Sequence, residues 1–322
     1  MVDEALTDTG HRKPPSVLLL GAAHLDRIAV SSTPFRLGFS NPGRVVERLG
    51  GAAFNAALAL KLFGSAATLV SACGGDDVAE RVGAELDRFD VVDGRIAWLD
   101  RRSATYTALV DAGGDLVGGV ADMEIYDRLT PRVLSRRHLL DRIAEADGVL
   151  VDANLPPAAL EQLASLRPRR LGAIAVSPAK ITRLPTILPK LSVLFASRVE
   201  IATLLSLHSD VGDADLVRSI RNGGLERAIV TDGPRSVLVV DADVALRQAP
   251  PMVAAVTDVV GAGDTLAGVA FGAWLDDRPF LDAVRLGLAA ASLRISTGLD
   301  GSSAEAAAAI AASLPPPQFL QI

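Results

Sequence analysis

Thr257-Asp258-Val259-Val260-Gly261-Ala262-Gly263-Asp264-Thr265 runs without a break into Leu266-Ala267-Gly268-Val269-Ala270-Phe271. Two glycines around one alanine permit a tight backbone turn. After them the apolar residues Leu266, Val269, Ala270, Ala273 and Trp274 recur at helical spacing. The glycine loop therefore opens a helix, whose first N–H groups lack partners inside the helix and lie at the positive end of its dipole. Such an end binds anions. Gly261, Ala262 and Gly263 are expected to cradle a phosphoryl group, and Asp264 stands where a carboxylate can take the proton of an attacking hydroxyl. On its own, Gly-x-Gly-Asp also describes an ordinary turn before a helix.

A second constellation lies far upstream, in Leu49-Gly50-Gly51-Ala52-Ala53-Phe54-Asn55-Ala56-Ala57-Leu58-Ala59-Leu60-Lys61-Leu62-Phe63-Gly64. Its Gly-Gly turn admits a ligand close to the backbone, a helix of small residues follows, and Gly64 ends it. Asn55 is the one amide in this apolar run. It can donate to and accept from a sugar hydroxyl, or equally satisfy nearby backbone.

Composition bounds the rest. A chain of 322 residues that is 49% hydrophobic can bury a large core. The net charge of −6 gives no basic footprint for nucleic acid. With a single cysteine, Cys73, neither an intrachain disulfide nor a cysteine metal cluster can form, and its place after the run Ala67 to Ala72 suits core filling. The first apolar run, Val17 to Leu20, is only strand length, so neither a signal peptide nor a membrane span is expected, and the protein is expected in the cytoplasm.

Short aliphatic runs alternate with helical segments, the pattern of an α/β fold with a central parallel sheet covered on both faces. The candidate central strands are Val17 to Leu20, Ala67 to Ala72, Gly148 to Asp152, Ala173 to Val176, Val193 to Phe195, Ala228 to Thr231 and Ser236 to Val240. Two stretches break the alternation. Residues from about 28 to 48, and Ala104 to Asp111 with Leu116 to Val120 beyond the Gly113-Gly114 turn, read as strands with no helix between them. Ala304 to Ser313 reads as an alanine-rich helix, and Pro315-Pro316-Pro317 as the start of a loose tail.

Taken together and in this order, the Gly-Gly-x-x-x-Asn element and the Gly-Ala-Gly-Asp element resemble the two signature regions of the PfkB/ribokinase family of sugar and nucleoside kinases, over roughly Val17 to Gly301. The resemblance implies a ribokinase-like three-layer sandwich with a mostly parallel sheet and a small β-lid. It divides the chain into a flexible segment 1–16, one kinase domain 17–313 with the lid inserted at about 28–48 and 102–122, and a tail 314–322. It also implies ATP and Mg2+ as cofactors, a small-molecule sugar or nucleoside as substrate, and a homodimer formed through the lid. Position by position, Asp26, Gly51 and Asn55 match sugar-binding residues, Asp264 the base, and Gly261 to Gly263 the anion hole. Thr231 and Gly233 match a segment near the nucleotide, while Asp258 and Val260 match a monovalent cation site, with K+ as the candidate and further partners around Ser296 to Ser302.

Finer phrases resemble the pseudouridine kinases within that family: Ser40-Asn41-Pro42-Gly43-Arg44-Val45, the lid phrase Ala121-Asp122-Met123-Glu124-Ile125-Tyr126-Asp127 with Leu129-Thr130-Pro131, and Asp152-Ala153-Asn154-Leu155-Pro156. This implies that Asn41 and lid residues from Tyr106 to Met123 read a base as well as a ribose, although Asn41-Pro42-Gly43 also reads as a plain turn. Three positions depart from the family pattern. Ser197 replaces the Asn of the Asn-x-x-Glu element whose Glu200 organises magnesium through water, Ser177 replaces an Asp, and His24 stands where Asn is usual. The expected activity is ATP-dependent phosphorylation of a primary hydroxyl, with pseudouridine first, ribose or another nucleoside second, and a weakened nucleoside-binding homologue as the reading that the two serines would favour.

Overall fold

The computed structural model describes residues 13–321. Ten strands make the main sheet, in the spatial order Gln318–Phe319, Val244–Gln248, Val237–Asp241, Arg227–Thr231, Val193–Ser197, Leu171–Ile174, Gly148–Asp152, Ser16–Leu20, Ala66–Val70 and Val92–Asp93. From Arg227–Thr231 to Val92–Asp93 neighbours are parallel. The central strands read as unbroken aliphatic runs because both faces are covered. Along Ser16–Leu20 the period-two alternation sends Leu18 and Leu20 into one core and Val17 and Leu19 into the other. Each fully buried aliphatic side chain contributes about 1.5–3 kcal/mol.

Helices Ala52–Leu62 and Ala262–Leu275 lie together on one face. Gly268 lets them touch, since a Cβ there would fall 2.6 Å from the carbonyl oxygen of Ala56. This contact is what carries Asn55 to the start of the second helix. The opposite core holds Tyr126, Leu129 and Leu160.

A second sheet of four strands, ordered Gly43–Gly50, His24–Ser31, Thr105–Val110 and Leu116–Asp122, stands apart from the main one. The chain enters it directly from Ser16–Leu20 through Gly21, Ala22 and Ala23. Its first strand starts at His24 rather than near residue 28, because His24, Leu25 and Asp26 are all buried and show no alternation to read.

Three expectations need correction. Ser236 to Val240 is a strand, Val237–Asp241, but it runs antiparallel to Arg227–Thr231. Five residues cannot make a parallel crossover. The C-terminal stretch is docked, not loose: Gln318–Phe319 pairs with Val244–Gln248, Leu320 N–H donates to Ala245 O at 2.9 Å, and Gln248 Nε2 donates to Pro315 O at 3.1 Å. Two neighbouring strands were hidden from sequence reading by their polar and proline-rich surroundings. Tyr126, placed among the lid residues, lies instead in a 3-10 turn inside the main core, 1% exposed. Of the N-terminal segment, residues 1–12 lie outside the described residues, and Ser16 already belongs to the first strand.

Candidate active site

The carboxyl ends of the parallel strands converge on one cleft, the usual place for a ligand in such a sheet. Leu20 leads into Gly21-Ala22-Ala23, and the next strand over ends at Asp152, which is fully buried. Asp152 Oδ2 accepts the N–H groups of Ala22 at 2.7 Å and Ala53 at 3.1 Å, and Oδ1 accepts that of Asn154 at 2.9 Å. Burial pushes its carboxyl up, against the pull of these donors. Asp152 thus ties the first strand to the start of helix Ala52–Leu62. Gly51, at φ 112, turns the chain from strand Gly43–Gly50 into that helix, and a Cβ there would lie 2.3 Å from Ala22 O.

On that helix Asn55 Nδ2 donates to Asp264 Oδ2 at 2.9 Å. Gly261, at φ 77, caps the facing helix, with room only for a hydrogen beside Asn55. Loss of hydration raises the Asp264 carboxyl to about 6, opposed by the Asn55 hydrogen bond, with Asp152 and Glu200 raising it further and His24 lowering it. The Asp264 carboxyl nevertheless keeps an accessible edge at the mouth of the cleft. Of the cradle amides, that of Ala262 donates to Val259 O at 3.3 Å, while those of Gly261, Gly263 and Asp264 reach no backbone carbonyl among the described residues.

A cavity of about 200 Å³ extends from Asp264 and Gly263 past Glu200, Ser197 and Thr231 to Val176. Ser197 begins helix Arg198–Leu204 in a reciprocal cap: its Oγ accepts the Glu200 N–H at 3.3 Å, and Glu200 Oε2 accepts the Ser197 N–H at 2.6 Å. The other Glu200 oxygen stays free toward the cavity, so the residue fits a magnesium ion held through water. Ser177 likewise caps Pro178–Ile181, accepting from Lys180 N–H. Val176, just before it, is held at φ 72, a costly conformation for a β-branched residue, by about 1–3 kcal/mol. Sequence carried no sign of it. Gly233 takes φ 57 in the turn after Thr231, where Asp232 pairs with Arg235.

The small sheet supplies the other wall. Asp26, 8% exposed, meets His24 Nε2 at 3.2 Å, and His24 Nδ1 lies 3.4 Å from the buried Tyr126 hydroxyl. Asp26, Arg48 and Tyr106 are register partners and so share one face of this sheet. Asn41 does not join them. Its Oδ1 accepts from Arg36 N–H and its Nδ2 donates to Arg36 O and Phe39 O, so the amide is used within its own exposed loop.

Asp258 is engaged differently from its expected role. Arg48 Nη1 donates to its Oδ2 at 2.6 Å, and its Oδ1 accepts Val260 N–H at 2.9 Å. Each Asp258 oxygen thus already accepts a hydrogen bond, and a guanidinium stands against the carboxylate expected to face a monovalent cation. Arg48 and Asp152 are the residues that sequence reading passed over. Asp152 stands in a phrase whose pattern assigns it no role, and Arg48 carries no local signal, since its partner is 210 positions away.

Fold and cleft together describe a phosphotransferase acting on a hydroxyl, and comparison with known proteins agrees. Residues 15–307 match the pfkB family of carbohydrate kinases, and the chain belongs to that family. It is 26% identical over 291 residues to the pseudouridine kinase of Escherichia coli (strain K12), covering 88% of this chain and 92% of that one. A carbohydrate kinase from Agrobacterium tumefaciens superposes with a TM-score of 0.83 at 32% identity, covering 95% of this chain and all of that one. The Arabidopsis thaliana ribokinase complexed with ribose and ATP shares the fold, with a TM-score of 0.80 at 17% identity over 93% of this chain and 99% of that one. Among the described residues no helix is long and apolar enough to cross a membrane.

Proposed function

We propose that this kinase transfers the terminal phosphoryl group of ATP to the 5′ hydroxyl of a ribose-containing nucleoside, with pseudouridine as the first candidate. The Asn55–Asp264 pair beside the open amides of Gly263 and Asp264 carries the chemistry of this reading. Asp264 accepts the hydroxyl proton, and Asn55 holds the carboxylate in its ionised form. The two amides take the charge that grows on the phosphoryl oxygens. Asp26, steadied by His24, binds sugar hydroxyls. Glu200 would hold a magnesium ion through water with its free oxygen, and that ion, bound with ATP, would offset the triphosphate charge. Thr231 and Gly233 border the nucleotide. The transfer needs positioning and electrostatics rather than a covalent intermediate.

The choice of pseudouridine rests on the Escherichia coli relative, at 26% identity. A sugar without a base is a second reading, favoured by Asn41, whose amide is already used in its own loop. Initial rates with pseudouridine, uridine and ribose separate the two. A kcat/KM for pseudouridine well above that for ribose supports the first, since polar groups built to pair with a base are left unpaired by ribose. Equal or better use of ribose removes it and leaves the kinase reading intact.

The small sheet also supports a homodimer. On the face opposite Asp26, Val45, Leu109 and Val120 are exposed, Val120 by 69%. These exposed apolar side chains, beside the Arg27–Glu47 ion pair on the same face, are suited to cover by a second copy of the chain.

A further inference from the structure

Arg48 joins two carboxylates that belong to different parts of the site. It lies on strand Gly43–Gly50, opposite Asp26 in the antiparallel pair. Its Nε is buried without a hydrogen-bond partner, 3.8 Å from Asp26 Oδ2, while its Nη1 holds Asp258. Asp258 in turn closes the turn over Val260 that delivers Gly261 in the left-handed conformation, and with it the open amides of Gly263 and Asp264. The N–H groups of Thr257 and Asp258 both point to Ile295 O, which anchors the loop from behind. The shape of the phosphoryl cradle is therefore set by one carboxylate, gripped from the small sheet by a guanidinium.

That carboxylate needs a positive neighbour, because it lies one turn from the site that receives a triphosphate. A loosely held ion could supply the charge. Here a covalently attached one does so, with two oxygens of Asp258 already spoken for. We propose that Arg48 is a positioning residue that fixes the Thr257–Gly261 loop through Asp258 in the place of a bound monovalent cation, and that its reach to Asp26 couples the sugar-binding wall to the cradle. The proposal rests on the kinase reading above for its rate effects, but its ion dependence is independent of the substrate.

Two measurements test it. Melting temperature in KCl, NaCl and choline chloride at matched ionic strength reads cation binding without any substrate, since an ion that binds only the folded protein raises it. Wild type should melt at one temperature in all three, whereas Arg48→Ala should gain a rise specific to K+. In the rate assay, wild type should show the same kcat in K+ and choline, and Arg48→Ala should lose about tenfold or more through a misplaced cradle. Millimolar guanidinium or K+ should restore much of that loss and choline none, while Arg48→Lys should retain most of the rate. A K+-specific rise in melting temperature or rate for the wild type overturns the proposal, as does an Arg48→Ala variant that is fully active or is impaired without rescue by either cation. If Arg48→Ala fails to fold, the wild-type ion series and Arg48→Lys still decide. Absence of turnover with every nucleoside and sugar would count against the functional reading, and the melting series would stand apart from it.

Discussion

Asp264 shows how one residue can be legible as a type and illegible as a chemical group. The Gly-Ala-Gly-Asp spacing marks it as a carboxylate at a helix start, but its raised pKa of about 6 comes from burial and from Asp152 and Glu200, contributed by other strands and helices. Since the base must be ionised, activity should fall as pH drops through about 6. A pH–rate profile of kcat/KM with a single acidic limb there is the expected result; a flat profile down to pH 4.5, roughly the ordinary carboxylate range, would assign the base elsewhere. Asp264→Asn should lower kcat by about 10²–10⁴-fold with nucleotide binding retained. Asn55→Ala removes the donor that favours the ionised form, so the acidic limb should move to higher pH, and an unmoved limb would mean that the 2.9 Å contact has no electrostatic role.

At the scale of elements, the glycine-rich starts of helices Ala52–Leu62 and Ala262–Leu275 were readable because turn chemistry and helical period are local properties. What brings them together was not, since Gly268 looks like any small residue until the Ala56 carbonyl is seen against it. Ser197 makes the same point in reverse. As a substitution it suggested a weakened metal site, whereas in the structure it is the cap of its helix, exchanging hydrogen bonds with Glu200. Asp152 is the element-scale keystone of the cleft, and its three N–H partners have no substitute acceptor. Asp152→Ala should cost about 3–5 kcal/mol, the range for groups left buried and unpaired, seen as a lower urea midpoint with an unchanged slope. A loss under 1 kcal/mol, roughly that of a surface contact, would show that water takes its place.

For the whole molecule, the run of aliphatic strands marked the class of fold, and the five-residue connection after Arg227–Thr231 already implied the antiparallel edge, while the docked C-terminal stretch depended on pairings between residues 70 or more positions apart and left no local trace. The small sheet was foreseen as strands without helices, yet which of its faces meets substrate follows only from register. Val120→Glu on the outward face should convert a dimer to a monomer in sedimentation velocity while kcat stays within about twofold, because the face that carries Asp26 is untouched. A chain that sediments as a monomer before substitution would remove the dimer proposal.

The pairing of Gln318–Phe319 with Val244–Gln248 also sets a timetable for synthesis. Until those last residues leave the ribosome, Val244–Gln248 is a bare sheet edge able to pair with a strand of another nascent chain. Premature termination before Gln318 should thus yield inclusion bodies more readily than the loss of so short a surface stretch suggests, and affinity tags belong at the amino terminus rather than on the strand that closes the sheet.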